Sequence, residues 1–162
     1  MCSGYSTIDV TEGRYNPTKS LSCYRSIYNE VWILLLLRIS LGWLLVIWGA
    51  DKVFNVEHGM AVANKFYFGF LAAEGAMRIA GVLQMLVGLA VVVGFARRWV
   101  YPLQVLLNGA SLLAVMQSVI DPWSWVFEGS NALFYPSLII FAASLLLIAY
   151  RDEDKWVLGK KY

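Results

Sequence analysis

Four apolar runs set the terms for this chain: Val31 to Ala50, Ile79 to Phe95, Trp99 to Ile120 and Ala132 to Tyr150, each of 17 to 22 residues and none holding an acidic side chain. A protein of 162 residues cannot bury all four inside itself, so they need lipid as solvent. At 1.5 Å per helical residue they extend roughly 26 to 33 Å, matching a hydrocarbon core of about 30 Å. Backbone N–H and C=O groups find no water there, so a crossing segment must be a helix or a strand of a closed barrel. Unbroken apolar character, rather than alternation with a period of two, selects helices. The expected fold is all-α: an integral membrane four-helix bundle of up-down topology. Only 15% of the residues are charged, against about 25% in soluble domains, which excludes a disordered tail or a nucleic-acid module for most of the chain.

The division that follows is an N-terminal segment (1–28), a transmembrane domain (29–150) and a C-terminal tail (151–162). Residues 1–30 contain no signal-peptide core, so the first span is expected to be the anchor. Lys and Arg counts give the orientation. Arg14, Lys19, Arg25, Arg97, Arg98, Arg151, Lys155, Lys160 and Lys161 fall on one side, whereas the other side has only Lys52, Lys65 and Arg78. Both termini are therefore expected to be cytoplasmic. The net charge of +2 is a topology signal rather than a nucleic-acid footprint.

The opposite side is aromatic: Phe66, Tyr67, Phe68 and Phe70 in one connection, Trp123, Trp125, Phe127, Phe134 and Tyr135 in the other. These residues read equally as an interfacial belt or as the apolar mouth of a site for a lipid-soluble ligand. The segment 51–69 is too polar to span and predicts an outer loop with a short interfacial helix, the next helix starting near Leu71. Small residues promise close helix packing: Gly42 and Gly49 on the first helix, Ala72, Ala76, Ala80, Gln84 and Gly88 at every fourth residue along a single ridge of the second, and Ala110, Ala114 and Ser118 on the third. Pro102 is expected in the first turn of the third helix, and Pro136 either bends the fourth or marks a later start.

Two polar sets stand out. Arg38 lies inside the first run, and Gln104 and Asn108, at i and i+4 on the antiparallel third helix, are its expected neighbours in a buried polar cluster. The other readings of Arg38 are contact with lipid phosphate or Glu30, and a ligand contact. Nearer the outer leaflet, Asp51, Lys52, Gln84 and Gln117, with Trp48, form a candidate quinone or small-ligand site, since carbonyl oxygens need donors; the same residues serve equally as a structural rim. Glu74 and Arg78 are spaced for a helical ion pair.

Absences narrow the chemistry. His58 is the only histidine, so this chain alone cannot supply bis-histidine haem ligation or a His/Cys zinc cluster, and no metal site is expected. Cys2 and Cys23 sit on the expected cytoplasmic side without a Cys-x-x-Cys spacing, which speaks against thiol-disulfide catalysis. No phosphate-binding glycine loop or nucleophile elbow occurs.

The string Arg38-Ile-Ser-Leu-Gly42 followed by Trp48-Gly49-Ala50-Asp51-Lys52 resembles the first-helix pattern of the DoxX and DoxD family. Gly88 to Gly94 with Arg97 and Arg98 resembles its second helix and basic turn, and Arg151-Asp152 to Trp156-Val157-Leu158-Gly159 its ending. The resemblance spans roughly residues 31 to 158 and carries over Arg38, Gly42, Gly49, Lys52, Gly88 and Gly94, none of them as a catalytic group. It implies a small subunit like that of thiosulfate:quinone oxidoreductase, in a bacterial or archaeal cytoplasmic membrane. Quinone would be the cofactor, with membrane lipids and other redox subunits as partners. Gln84 departs from a pattern that often places a carboxylate on the second helix. A noncatalytic scaffold in a larger membrane complex is the alternative.

Overall fold

Pro17 opens the first helix, where its fixed φ suits an N-terminal turn and its missing N–H leaves no bond unmade. The computed structural model describes residues 8–9, 14–15, 17–66 and 73–158, with side chains from Val31 onward. Tyr67, Phe68, Phe70, Leu71 and Ala72 lie outside the described residues, as do Cys2, Gly159, Lys160 and Lys161. Strands β1 (Ile8–Asp9) and β2 (Arg14–Tyr15) pair antiparallel ahead of α1 (Pro17–Phe54). The remaining elements are α2 (Val56–Phe66), α3 (Glu74–Val93), α4 (Arg97–Ala114), α5 (Met116–Ile120), a 3-10 turn (Ala132–Phe134) and α6 (Pro136–Ala149).

The ends of these helices differ from the apolar runs for identifiable reasons. Gly94, at φ 69°, stops α3 in the left-handed conformation, with its N–H on the Val91 carbonyl and the Phe95 N–H on that of Ala90. Helix α4 starts at Arg97, two residues earlier than its apolar run, so Pro102 sits in the second turn rather than the first. There it denies the Arg98 carbonyl its helical bond. The run 99–120 is not one helix, because Val115 (φ −107°, ψ 15°) separates α4 from α5. Pro136 marks the later start: it opens α6 after the 3-10 turn, which the Asn131 side chain caps by accepting from the Leu133 N–H at 2.9 Å.

Among the described residues, three segments are long and apolar enough to cross a membrane, Val31–Phe54, Glu74–Val93 and Ala132–Ala149. Helix α4 is not among them, since Arg97, Arg98, Gln104 and Asn108 dilute it and Val115 interrupts its run. Helix α1 packs chiefly on α3 and α4 on α6, while α3 against α4 and α1 against α6 complete a circuit of four. Each of the four contributes one residue to a central cluster, Leu41, Val91, Tyr101 and Leu147. The short α2 covers one end, its Val56 and Ala63 packing with Met77 of α3. Side chains facing away, such as Leu36, Leu83, Leu106 and Ile139, are largely exposed, as lipid contact requires.

The α1–α3 seam is built on reciprocal glycines. A Cβ on Gly42 would stand 2.7 Å from the Gly88 carbonyl oxygen, and one on Gly49 would stand 2.6 Å from that of Gly81. The α3 residues that face these glycines are Gly81, Met85, Gly88 and Val92, in steps of four and three, rather than a ladder at every fourth residue. A strict step of four drifts around a helix of 3.6 residues per turn, whereas alternating four and three stays on the partner.

Candidate functional site

The polar residues of this chain divide among three places. At the end of the helices that carries the C-terminal tail, Arg38 is 3% exposed and Asp154 fully buried. Arg38 Nη1 donates to both Asp154 carboxylate oxygens at 2.9 Å, and its Nη2 donates to the Trp156 carbonyl at 2.6 Å. Tyr101, also fully buried, donates its hydroxyl to Asp154 Oδ2 at 2.7 Å. Arg97 fastens the same segment by donating to the carbonyls of Arg151 and Asp154 at 2.6 and 2.9 Å. The Leu158 N–H reaches the Val93 carbonyl, Trp156 packs on Trp32 with ring centroids 5.0 Å apart, and Val157 occupies the space a Gly94 side chain would need. The tail thus serves as the counter-charge and lid of an arginine that lies between apolar helices.

The expected cluster of Arg38, Gln104 and Asn108 needs correction. All three are buried, but no hydrogen bond joins them. Arg38 turns to the tail carboxylate, the stronger partner because a charged pair satisfies the guanidinium as amides cannot. Asn108 donates to Ser144 Oγ at 2.7 Å, which in turn donates to the Ile140 carbonyl, joining α4 to α6. Arg38 Nε, Gln104 Nε2 and Asn108 Oδ1 are buried without a hydrogen-bond partner among the described residues. Sequence reasoning missed Asp154; the signal available was the arginine itself, whose burial calls for a carboxylate, and the tail is rich in them.

At the opposite end, Lys52 and Gln84 do meet. Lys52 Nζ donates to Gln84 Oε1 at 2.9 Å across the α1–α3 seam and to the Trp48 carbonyl at 3.4 Å. Asp51 belongs to a neighbouring group, accepting from Asn55 Nδ2 at 3.0 Å, with His58 Nδ1 2.7 Å from its other oxygen. Glu74 and Arg78 form the anticipated pair at 2.7 Å, exposed and so worth only a few tenths of a kcal/mol. Gln117 is not part of this set; it lines a groove of about 580 Å³ at the break between α4 and α5, together with Phe66 and Ser118.

The loop beyond that groove is tied by Asp121, which is 7% exposed. Its carboxylate accepts from the backbone N–H groups of Val126 at 2.6 Å, Phe127 at 2.8 Å and Trp125 at 3.0 Å. The Phe127 and Val126 bonds hold its pKa below the ordinary carboxylate value, with Trp125 adding to them. A depressed folded-state pKa stabilises the loop fully above the unfolded value of about 4, and this is lost as pH falls through the folded value. Acidification is therefore expected to lower the hydrogen-exchange protection factors of the Trp125, Val126 and Phe127 amides, taken relative to the intrinsic rate at each pH, and to perturb fluorescence from Trp123 and Trp125. Asp121→Ala should show the same loss of protection at neutral pH.

The profile of the DoxX family matches residues 33–118, more than half of the chain. That match holds the whole α1–α3 seam, with Arg38, Lys52, Gln84 and the paired glycines, and ends before α6 and the tail that carries Asp154. No curated protein and no solved structure matches the chain at a significant level. The matched residues include the buried arginine and its apolar helices, two of the three long enough to cross a membrane, and the chain accordingly belongs to the DoxX family of membrane proteins.

Proposed function

We propose that this chain is an integral subunit of a redox-linked complex in a bacterial or archaeal cytoplasmic membrane, built as a four-helix transmembrane bundle with both chain ends cytoplasmic. It would offer a hydrogen-bond donor to a quinone while partner chains carry the electron transfer. The orientation is supported by the tail end of the helices, where Arg97, Arg98, Arg151 and Lys155 gather.

The observation that carries the quinone reading is Lys52. Its ammonium has three N–H groups, and two are spent on a neutral amide and a backbone carbonyl. Lys52 forms no ion pair among the described residues. The remaining N–H fits a quinone carbonyl, and Trp48 beside it supplies a flat apolar surface. A bound quinone would supply the electron-accepting chemistry; Lys52 would orient it, and Gln84 would hold the Lys52 ammonium in place across the seam.

The second reading, a noncatalytic docking subunit, is supported by the broad apolar faces at Trp43, Ile47, Leu83 and Leu86, which suit larger membrane partners as well as lipid. Isolation of the native assembly in mild detergent, followed by mass spectrometry, separates the two. The quinone reading expects co-isolated quinone, reduced about tenfold or more by Lys52→Ala with the subunit composition unchanged. Lys52→Ala with Gln84→Leu, which leaves no amide unpaired, should show the same loss. Quinone retention unaffected by both changes would favour the docking role.

A further inference from the structure

The groove at the α4–α5 break has a polarity that the quinone reading does not use. Its wall along α4 is apolar, from Ala110, Leu113 and Ala114, and among the described residues its lining carries one cation, Lys65, and one anion, Glu128. Neither charge makes an ion pair or hydrogen bond among the described residues; Lys65 only stands 5.3 Å from the centroid of the Phe66 ring. One hydroxyl of the lining is also unspent. Ser118 is 4% exposed, and its Oγ accepts from the Asn131 N–H at 3.2 Å while its own O–H donates to no described residue.

The geometry points to a site for the zwitterionic headgroup of a glycerophospholipid: a phosphate diester on Lys65 and Ser118, a primary ammonium on Glu128, and an acyl chain along Ala110, Leu113 and Ala114. Each feature of such a molecule has its complement here. The phosphate takes a cation and an O–H donor, the ammonium takes a carboxylate, and the chain takes the apolar wall. A cavity of about 580 Å³ suits a headgroup, as ligand sites of roughly 300 to 1,000 Å³ commonly do. Depth agrees, since the loop that supplies Glu128 and Gly129 to the groove also carries the exposed, stacked Trp123 and Trp125, whose rings favour the headgroup layer. A quinone fits less well, because the ionised Glu128 would face its carbonyl oxygens. An anionic headgroup lacking an ammonium would leave Glu128 against a like charge.

The test uses the full chain in mild detergent, with native mass spectrometry of lipid adducts after exposure to phosphatidylethanolamine, phosphatidylglycerol or a long-chain quinone. Phosphatidylethanolamine is expected to be retained about tenfold over phosphatidylglycerol, the scale of one charge-assisted hydrogen bond. Glu128→Gln should bring that ratio near unity, and Lys65→Gln should weaken retention of both lipids. Both side chains are exposed, so the variants should unfold at the temperature of the parent chain. Equal retention of the two lipids in the parent chain, an unchanged ratio in Glu128→Gln, or displacement of phosphatidylethanolamine by quinone would overturn the proposal. So would displacement by millimolar phosphoethanolamine, which would assign the groove to a soluble phosphorylated amine. None of these results bears on Lys52, which lies outside the groove.

Discussion

Asp154→Ala is expected to cost about 3 to 5 kcal/mol, the usual penalty when one member of a buried ion pair is removed and the other charge is left unpaired. Arg38 would keep only the Trp156 carbonyl, and that bond depends on a tail no longer anchored by its carboxylate. Thermal unfolding of the purified chain in detergent measures the loss, and faster hydrogen exchange at the Leu158 amide, which bonds the Val93 carbonyl in the docked tail, reports release of the tail. Tyr101→Phe removes only one donor to the carboxylate and should cost less, about 1.5 to 3 kcal/mol. The double change Arg38→Met with Asp154→Leu should recover most of the stability, because an apolar pair of similar size needs no desolvation. If Asp154→Ala unfolded at the parent temperature, the tail would not be what neutralises Arg38.

Gly88→Ala is the second change expected to have a large effect. The new methyl group would lie 2.6 Å from the Gly42 carbonyl oxygen and 2.9 Å from the backbone nitrogen of Val46, so backbone rather than a flexible side chain must yield. Overpacking of this kind costs about 1 to 3 kcal/mol. Gly88→Val should cost more, since two helices would have to separate along their main contact. Gly75 supplies the control on the same helix: nothing lies within 4 Å of its would-be Cβ, so Gly75→Ala should stabilise by about 0.5 to 1 kcal/mol through helix propensity. Thermal midpoints that move in opposite directions for the two substitutions would establish the seam. Equal shifts would remove it.

Much of the site was legible because lipid leaves few choices. A lysine near the end of the first span and an amide on the second were expected to gather, and Lys52 and Gln84 share a hydrogen bond. Gly42, Gly49 and Gly88 were read as packing residues, and they lie in the seam. Gly81 was passed over because a step of four was followed where the contact alternates four and three. Gln117 was grouped with Lys52 because both are polar and near the same end, but the break at Val115 places it on a different wall. Helical continuity was assumed across Val115, and nothing in that apolar run announces the interruption.

The sequence by itself determined that the chain is helical and suited to lipid, because runs of apolar residues without water cannot leave backbone groups unbonded. It also marked Arg38 as a charge that needs a partner, in the protein, in lipid phosphate or in a ligand. Tertiary structure alone decided what that answer is: Asp154, 116 positions away in a polar tail that, taken locally, has no reason to be buried. Local pattern encodes what each segment requires of its solvent, whereas the partner of a buried charge depends on which distant segment the packed helices bring over it.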